Sequence, residues 1–127
     1  MEKKDNRKYR VYIAGKLNDM AVDYIKNLHF MIKEAEKVRK RGFSVYVPCL
    51  DFLMGLVAGD YEYNDYFENS QEWLKASEVV YACDNWKNSN GAKKEIELAK
   101  SLNIPVFYNL EDLLSWREQE EKKKAIE

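Results

Sequence analysis

Short apolar runs alternate with helical patterns four times along this chain, and that alternation constrains the fold more than any other feature. The apolar runs occupy residues 9–15, 43–48, 78–83 and 104–109. Each is followed, directly or after a short segment, by residues whose apolar side chains recur at helical spacing. Strands that alternate with helices form a parallel sheet, because each helix carries the chain back to the start of the next strand.

The segments between the apolar runs supply the helices of this pattern. The first is placed to end at Gly42, a residue that commonly follows the last turn of a helix. The predicted helices are Met20–Arg41, the aromatic-rich segment 61–77, a segment that ends at about Leu102 and the charged segment after 109, whereas 49–60 is an apolar loop or a short helix.

Right-handed crossovers leave few ways to arrange such units. We predict an α/β fold, a flavodoxin- or Rossmann-like three-layer sandwich. Its parallel sheet would have about four to five strands in the order 2-1-3-4, with helices on both faces. In such sheets ligands bind at the carboxyl ends of the strands, between the first strand and the third. The ends of these two strands are therefore the expected site, with helix 61–77 as a third wall.

Length and charge limit the classes of protein to be considered. The 127 residues suffice for one domain, which we expect to span 1–127 with a core at about 9–117 and a charged helix end at 117–127. The net charge of −1 argues against a nucleic-acid binder. No apolar run approaches the length of a membrane span and the N-terminus does not resemble a signal peptide, so we expect a cytoplasmic protein without a membrane partner.

Histidine and cysteine are too sparse to indicate metal chemistry. Cys49 and Cys83 lie far apart and outside any CxxC motif, which favours two reduced thiols in or near the core. His29 is the single histidine, and its position in the middle of a helix predicts a surface residue. We therefore expect no metal site, and the chemistry that remains available is that of carboxylates.

The stretch NWKNSNGAKKEIELAK, residues 85–100, runs from the third strand through a polar turn into a helix. Gly91 leaves the first backbone amides of that helix open to an anion, and Ser89 can add a hydrogen bond or simply be the N-cap. Glu95, expected in the first turn, either interacts with the helix dipole or acts as a nucleophile. Trp86 either stacks on a base or packs over the edge of the sheet.

The end of the first strand carries the second group of candidates. Tyr12 lies three residues before Gly15, and it is either a core tyrosine or one whose hydroxyl orients a carboxylate. Lys16 and Asn18 follow, as ligand-binding residues or as surface residues of a turn. A carboxylate nucleophile suits attack at an anomeric carbon. The acids near the predicted site are Asp19, Asp65, Glu68, Glu72, Asp84 and Glu95.

Three segments resemble one superfamily: VYIAG at 11–15, YFENSQEWLKASEVVYAC at 66–83 and WKNSNGAKKEIELA at 86–99. They are similar to the nucleoside 2-deoxyribosyltransferase-like superfamily and, more narrowly, to its DUF4406-type branch. The resemblance covers about residues 9–110. It implies a flavodoxin-like fold that cleaves or transfers the N-glycosidic bond of nucleosides or nucleotides. Such a reaction needs neither a metal nor an organic cofactor.

The resemblance also implies roles for particular residues. Glu95, four residues after Gly91 and four before Ala99, matches the nucleophile of the superfamily. Tyr12 matches the tyrosine that positions this nucleophile. Ser89 matches a serine that binds the 5′-phosphate in the 2-deoxynucleoside 5′-monophosphate N-hydrolases, which favours a nucleotide over a nucleoside.

Two positions depart from the pattern of the superfamily. Ser70 stands where the superfamily has its second carboxylate, an aspartate, and a serine cannot serve as an ordinary general acid. Glu68 and Glu72 do not simply inherit that position, because residues two apart on a helix point in different directions. Residues 16–18 also differ from the serine and arginine of the monophosphate hydrolases, although Lys16 could still supply positive charge.

Three functions stay open on the sequence alone. The first is N-glycosidic cleavage or transfer on a (deoxy)nucleoside 5′-monophosphate, with a base stacked on Trp86 or on the aromatic residues of 61–67. The second is a non-catalytic nucleotide-binding or sensor module, which Ser70 favours. The third is a phosphoribohydrolase-like enzyme, which ranks lower because the double glycine of its PGGxGTxxE signature is absent.

The predicted site comprises nine residues, and the predicted partners are a nucleotide or nucleoside and further copies of the chain. A homodimer or higher homo-oligomer is expected, because helix 61–77 and the apolar segment 49–58 offer a surface to bury. The predicted catalytic residues are Tyr12 and Glu95, and the predicted substrate-binding residues are Gly15, Lys16, Asn18, Ser70, Trp86, Ser89 and Gly91.

Overall fold

The structure is a computed structural model that describes residues 8–18 and 20–126. Asp19, one of the acids near the predicted site, lies outside the described residues. Short 3₁₀ turns at Pro48–Leu50 and Trp86–Asn88 precede two of the α-helices. The strands are β1 Arg10–Ala14, β2 Ser44–Tyr46, β3 Val79–Ala82 and β4 Val106–Phe107, and the α-helices are α1 Ala21–Arg39, α2 Asp51–Ala58, α3 Tyr63–Lys75, α4 Asn90–Ser101 and α5 Leu110–Ile126.

The strands form one parallel sheet in the order β2-β1-β3-β4. Ala14 pairs with Ala82, so the carboxyl ends of β1 and β3 lie side by side. The chain turns to one side of β1 to form β2 and to the other side to form β3, which leaves a crevice where these two strands end. The predicted α/β fold and strand order 2-1-3-4 are confirmed.

The two faces of the sheet bury separate apolar clusters, because successive side chains of a strand point to opposite faces. On one face, Val11 shares a cluster with residues of α1 and with Leu113 of α5. On the other face, Tyr12 shares a cluster with Leu74 of α3 and Ala99 of α4. Helices therefore cover both faces, as predicted, and α3 and α4 cover the face that carries Tyr12.

The apolar segment after β2 is helical, which decides between the loop and the short helix that the sequence left open. It forms a 3₁₀ turn and then α2, which ends at Gly59 with a φ of 79°. Helix α2 lies close to α3, since a side chain at Gly55 would collide with the hydroxyl of Tyr66. The opposite side of α2 is open to solvent, and Val57 is 89 % exposed.

The two cysteines and the histidine lie where the sequence predicts them. Cys49 and Cys83 are buried free thiols, and His29 is exposed on α1. Among the described residues, no cluster of three or more histidine, cysteine or acidic side chains is arranged to hold a metal ion. Within the same residues, no helix combines the length and the apolar character that crossing a membrane requires.

Candidate functional site

A cavity of about 740 Å³ opens at the carboxyl ends of β1 and β3. Its walls come from the loop after β1, the turn before α4, the first residues of α2 and the aromatic side of α3. Its volume falls within the usual range of sites for small molecules, roughly 300–1,000 Å³. Most of the predicted site residues line it, namely Gly15, Asn18, Ser70, Ser89, Gly91 and Glu95.

One end of the cavity is the amino terminus of α4. Ser89 is the N-cap of this helix, and its Oγ accepts a hydrogen bond from the Ala92 amide at 3.1 Å. The amides of Asn90 and Gly91 have no acceptor within the helix, and both residues line the cavity. A side chain at Gly91 would make only ordinary contacts, the nearest at 3.5 Å from the Tyr63 hydroxyl. This end therefore offers backbone donors and a helix dipole to an anion.

Glu95 lies in the second turn of α4 rather than in the first turn, where the sequence placed it. The reason is that Ser89 caps the helix and Asn90 begins it, so the first turn contains no acid. From the second turn a carboxylate is too deep in the helix to serve the open amides of the N-terminus. The helix-dipole alternative for Glu95 is therefore wrong, and its side chain lines the cavity instead.

The Glu95 carboxylate is buried and incompletely satisfied. Its Oε2 atom is buried without a hydrogen-bond partner among the described residues. Burial raises the pKa of Glu95 to about 7, and the neighbouring Tyr12 hydroxyl counteracts part of that rise. Near neutral pH this carboxyl group therefore exchanges between its protonated and ionised forms, as residues at active sites often do.

Tyr12 lies in the middle of β1, fully buried beside Glu95. Burial and the charge of Glu95 hold the pKa of Tyr12 well above its usual value, so its hydroxyl stays protonated and can donate. That hydroxyl makes no fully formed hydrogen bond within the described residues, although it lies close enough to Glu95 to shift the pKa of that acid. Such contacts often tighten only when a ligand binds. Tyr12 is thus both a core residue and the neighbour of Glu95.

The end of β1 is tied to the turn after β3. The Lys16 amide donates a hydrogen bond to Asn85 Oδ1 at 3.1 Å. Gly15 permits this close approach, since a Cβ there would lie 3.1 Å from the Cβ of Cys83 and 3.3 Å from Asn85 Oδ1. Lys16 therefore joins the two turns through its backbone and does not line the cavity, whereas Asn18 does.

Trp86 lies outside the cavity and packs at the edge of the sheet. Its ring centroid is 5.3 Å from that of Tyr108, which follows β4. The structure therefore favours the packing alternative for Trp86 over base stacking, because the 3₁₀ turn points its ring toward β4. Aromatic residues of α3 line the cavity in its place, namely Tyr63, Tyr66 and Phe67.

Ser70 lines the cavity from α3, as predicted, without supplying an acid. It is only 7 % exposed, and its hydroxyl donates to the Phe67 carbonyl at 3.3 Å. Ser70 also lies close enough to Tyr12 to lower the pKa of that tyrosine, although burial outweighs this effect. The serine therefore helps to surround the hydroxyl that faces Glu95.

The other acids considered from the sequence point away from the cavity. Glu68 and Asp84 are exposed, and Glu72 pairs with Lys75 on the surface of α3 at 3.3 Å. Asp65 accepts a hydrogen bond at 2.7 Å from the Glu62 amide at the start of α3. None of these four acids lines the cavity.

Reasoning from the sequence missed a second carboxylate in the cavity, Asp51, the first residue of α2. Asp51 is 8 % exposed and lines the cavity. The Tyr46 hydroxyl lies 3.0 Å from its Oδ1 and 2.9 Å from its Oδ2, and Asn69 donates to Oδ2 at 3.4 Å. A signal was present in the sequence, because Asp51 is the single charged residue between Arg41 and Asp60.

Tyr46 stands between the two carboxylates of the cavity. Its ring stacks on that of Tyr12, with centroids 5.5 Å apart. Burial raises the pKa of Tyr46, and the charges of Asp51 and Glu95 both add to that rise. The Tyr46 hydroxyl therefore stays protonated and acts as a donor to Asp51.

The sequence also gave no sign that Lys94 would reach this site. Lys94 lines the cavity, and its Nζ lies 5.7 Å from the centroid of the Tyr63 ring. Of the described residues that line the cavity, Lys94 alone carries a positive charge. Lys94 could therefore supply the positive charge that the sequence suggested from Lys16.

Residues 9–108 match the family model described as "Domain of unknown function (DUF4406)". This match covers most of the chain. The chain belongs to the DUF4406 family. Among curated proteins, none is significantly similar to this DUF4406 chain.

A solved structure of a 2-deoxyribosyltransferase from Bacillus psychrosaccharolyticus resembles the DUF4406 chain. The TM-score is 0.55 and the sequence identity 20 %, over 76 % of this chain and 69 % of the other. At this identity the likeness shows a shared fold. The predicted DUF4406 branch is confirmed, and the shared fold agrees with the predicted resemblance to the nucleoside 2-deoxyribosyltransferase-like superfamily.

The cavity of the DUF4406 chain brings together three chemically different regions. The start of α4 and Lys94 can bind an anion. Glu95 offers a carboxylate oxygen that has no hydrogen-bond partner in the part of the chain that the structure describes. Asp51 and the aromatic residues of α3 form the remaining wall. An anionic molecule with a flat aromatic part matches this arrangement.

Proposed function

We propose that this DUF4406 protein cleaves or transfers the N-glycosidic bond of a (deoxy)nucleoside 5′-monophosphate, with Glu95 as the nucleophile. One observation carries the proposal: the Glu95 carboxylate is buried, lacks a partner for Oε2 and lines a cavity of about 740 Å³. A carboxylate in this condition suits attack on an anomeric carbon. The fold shared with a 2-deoxyribosyltransferase supports glycosyl transfer in general.

In the proposed reaction, an ionised oxygen of Glu95 attacks C1′ while the bond from C1′ to the base nitrogen breaks. The bonding electrons leave with the base, which takes up a proton from water. The sugar phosphate is then held as an ester on Glu95. Attack at C1′ by water completes hydrolysis, and attack by a second base completes transfer. Tyr12 would hold the orientation of Glu95 through its hydroxyl.

The start of α4 supports a nucleotide rather than a nucleoside as substrate. Ser89, the Gly91 amide and Lys94 would bind the 5′-phosphate. Gly91 and Glu95 are four residues apart on the helix, a rise of about 6 Å. This rise is comparable to the span of a ribose between its phosphate and C1′, so both ends of the sugar could be held at once.

A base-release assay tests this proposal. The protein is incubated with ribo- and deoxyribonucleoside monophosphates and with the matching nucleosides, and free base is measured by chromatography. We expect release from at least one monophosphate, faster than from its nucleoside, and loss of release in Glu95→Gln. Glu97→Gln is the matched control, because Glu97 is exposed on the same helix. Equal release by the protein and by Glu95→Gln would contradict the proposal.

A nucleotide-binding module without turnover is the second candidate function. The Ser70 hydroxyl donates to the backbone of its own helix, and position 70 supplies no acid for a leaving base. A rise in melting temperature with a nucleoside monophosphate, combined with no base release from any of them, would favour this function over catalysis.

We further propose that copies of the chain associate through the outer side of α2. Leu53, Leu56 and Val57 on this helix are 62 %, 60 % and 89 % exposed, an unusual apolar surface for a protein without a partner. Light scattering after size exclusion should show a dimer or larger species, and Val57→Lys should shift it toward the monomer. A monomeric protein at all concentrations would contradict this proposal.

A further inference from the structure

Asp51 lies in the aromatic part of the cavity. The ring of Phe52, the next residue, is centred 5.0 Å from that of Tyr24 on α1. Tyr66 of α3 closes against α2 at Gly55. These three aromatic residues line the cavity together with Asp51. Aromatic faces of this kind are the surfaces on which nucleobases stack in proteins.

The proposed position of the sugar places the base in this part of the cavity. With the phosphate at the start of α4 and C1′ at Glu95, the base must extend away from α4. The end of β1 lies between α4 and the start of α2, since β1 pairs with β3 on one side and with β2 on the other. The base would therefore approach Asp51 across the end of β1.

The surroundings of Asp51 make it a hydrogen-bond acceptor. Both of its contacts, the Tyr46 hydroxyl and the Asn69 side-chain amide, are donors to the carboxylate. Two donors directed at the carboxylate match its role as a hydrogen-bond acceptor. Among the described residues, Tyr46 is the one hydrogen-bond donor to its Oδ1 atom, which therefore retains capacity for one more donor.

We propose that Asp51 accepts a hydrogen bond from an amino group of the base, and that it makes the cavity selective for adenine, guanine or cytosine. The inference rests on the proposed function, because it requires a nucleotide in the cavity. It goes further by stating which edge of the base faces Asp51, namely one with an amino group. A base that presents a carbonyl to Asp51 would place two acceptors against each other without a proton between them. An amino group instead forms a charge-assisted hydrogen bond with the carboxylate.

Pairs of nucleotides that differ by one amino group test the inference without changing Asp51. The pairs are guanosine and inosine, adenosine and purine riboside, and cytidine and 2-pyrimidinone riboside, all as 5′-monophosphates. Their affinities are measured by calorimetry with Glu95→Gln, which should not turn them over. In at least one pair we expect the amino-bearing member to bind about 10- to 100-fold more tightly. Equal affinities in all three pairs would overturn the inference.

Asp51→Asn tests the residue itself, because it replaces one acceptor oxygen by a donor at almost constant volume. We expect it to abolish the preference for the amino-bearing nucleotide. The affinity for ribose 5-phosphate, which reports on the phosphate end alone, should not change. An equal loss of affinity for every nucleotide would show that Asp51 only supports the fold, and would overturn the inference.

Tyr46→Phe tests whether the preference for the amino group comes from Asp51 itself or from the hydrogen bond that Tyr46 donates to it. It removes one donor to Asp51 and keeps the carboxylate, so the preference for the amino group should persist. Loss of the preference in Tyr46→Phe, with its retention in Asp51→Asn, would contradict the proposed role of Asp51. If no nucleotide binds at all, the proposed function and this inference both fail. If nucleotides bind and are cleaved without regard to the amino group, only this inference fails.

Discussion

The two carboxylates of the cavity, Glu95 and Asp51, are both buried, but they differ in how well their oxygens are supplied with hydrogen bonds. On the α4 side, one oxygen of Glu95 has no hydrogen-bond partner within residues 8–18 and 20–126, and burial raises the pKa of Glu95 to about 7. On the α2 side, Asp51 receives hydrogen bonds from Tyr46 and Asn69. A buried acid without partners is destabilised and can react, whereas a satisfied acid holds its geometry and recognises. Under the proposed function, Glu95 on α4 carries the chemistry and Asp51 on α2 recognises the base.

Helix position contributes to this difference. Asp51 is the first residue of α2, where the helix dipole favours a negative charge. Glu95 lies in the second turn of α4, where that effect has largely ended. Glu95 also faces the fully buried Tyr12 on the sheet.

The largest expected effect is on catalysis at Glu95. Glu95→Gln keeps the shape of the side chain and removes the proposed nucleophile, so base release should fall by at least about a thousandfold. The measurement is the initial rate of base release from the best monophosphate at pH 8. Asp51→Asn should lower this rate far less for a base without an amino group. An equal loss of base release in both variants would show that Glu95 and Asp51 do not have different roles.

Glu95→Gln should make the folded protein more stable at pH 8, although it abolishes base release. The pKa of Glu95 in the folded protein, about 7, lies above its ordinary value of 4.5, so the folded protein loses stability as pH rises through this window. Glu95→Gln avoids that loss and should be more stable at pH 8 by up to about 3 kcal/mol. Urea unfolding at pH 4 and pH 8 measures the difference, which should nearly vanish at pH 4, below the ordinary pKa of the acid. A variant less stable than the native protein at pH 8 would contradict the account.

Asp51→Asn should instead destabilise the fold. It weakens the hydrogen bonds that Tyr46 and Asn69 donate, so the free energy of unfolding should fall by about 1–2 kcal/mol. Urea unfolding at pH 7 measures this change beside that of Glu95→Gln. If Asp51→Asn and Glu95→Gln both stabilise the protein, the two acids do not differ in how hydrogen bonds support them, and the account is contradicted.

Tyr12→Phe should act on the α4 side through Glu95. The Tyr12 hydroxyl lowers the pKa of Glu95, so its removal should move the rising limb of kcat/KM to higher pH and reduce base release at pH 7 about tenfold. Tyr81→Phe is the matched control, because Tyr81 is a buried tyrosine of β3 that belongs to the cluster on the other face of the sheet. An unshifted pH profile in Tyr12→Phe would show that this hydroxyl does not position Glu95.

Gly91→Ala should produce the smallest effect on ligand binding, and it tests whether the 5′-phosphate binds at the start of α4. The added methyl group would make only ordinary contacts in the folded protein, so the melting temperature should hardly change. It would stand near the open amides, and monophosphate affinity should fall about three- to tenfold while nucleoside affinity stays the same. A parallel loss for nucleoside and nucleotide would place the phosphate elsewhere.

The fold could be predicted from the sequence because its pattern is local and repeated. The apolar runs that became β1 and β3 are almost continuous, as expected of strands buried on both faces. Strand ends were less accurate: the run 104–109 forms a strand only at Val106–Phe107. Residues at the ends of such runs are apolar because they pack on the core, whether or not they pair in the sheet.

The site was predicted where the strand order or the spacing along one helix determines which residues meet. Gly91 and Glu95 lie four residues apart and therefore share a face of α4, which the sequence shows directly. Lys16 and Trp86 lie in turns, whose direction depends on contacts such as that between Lys16 and Asn85. Asp51 depends on how α2 packs beside β2, and its only local sign was a lone acid in an apolar segment.

Peptide mapping of a quenched reaction tests the central claim most directly. The protein is mixed with its best monophosphate substrate, quenched in acid within the first turnover and digested for mass spectrometry. We predict a sugar-phosphate ester on the peptide that contains Glu95, present in Asp51→Asn and absent in Glu95→Gln. An ester on another residue, or base release at the native rate by Glu95→Gln, would contradict the assignment of Glu95 as the nucleophile.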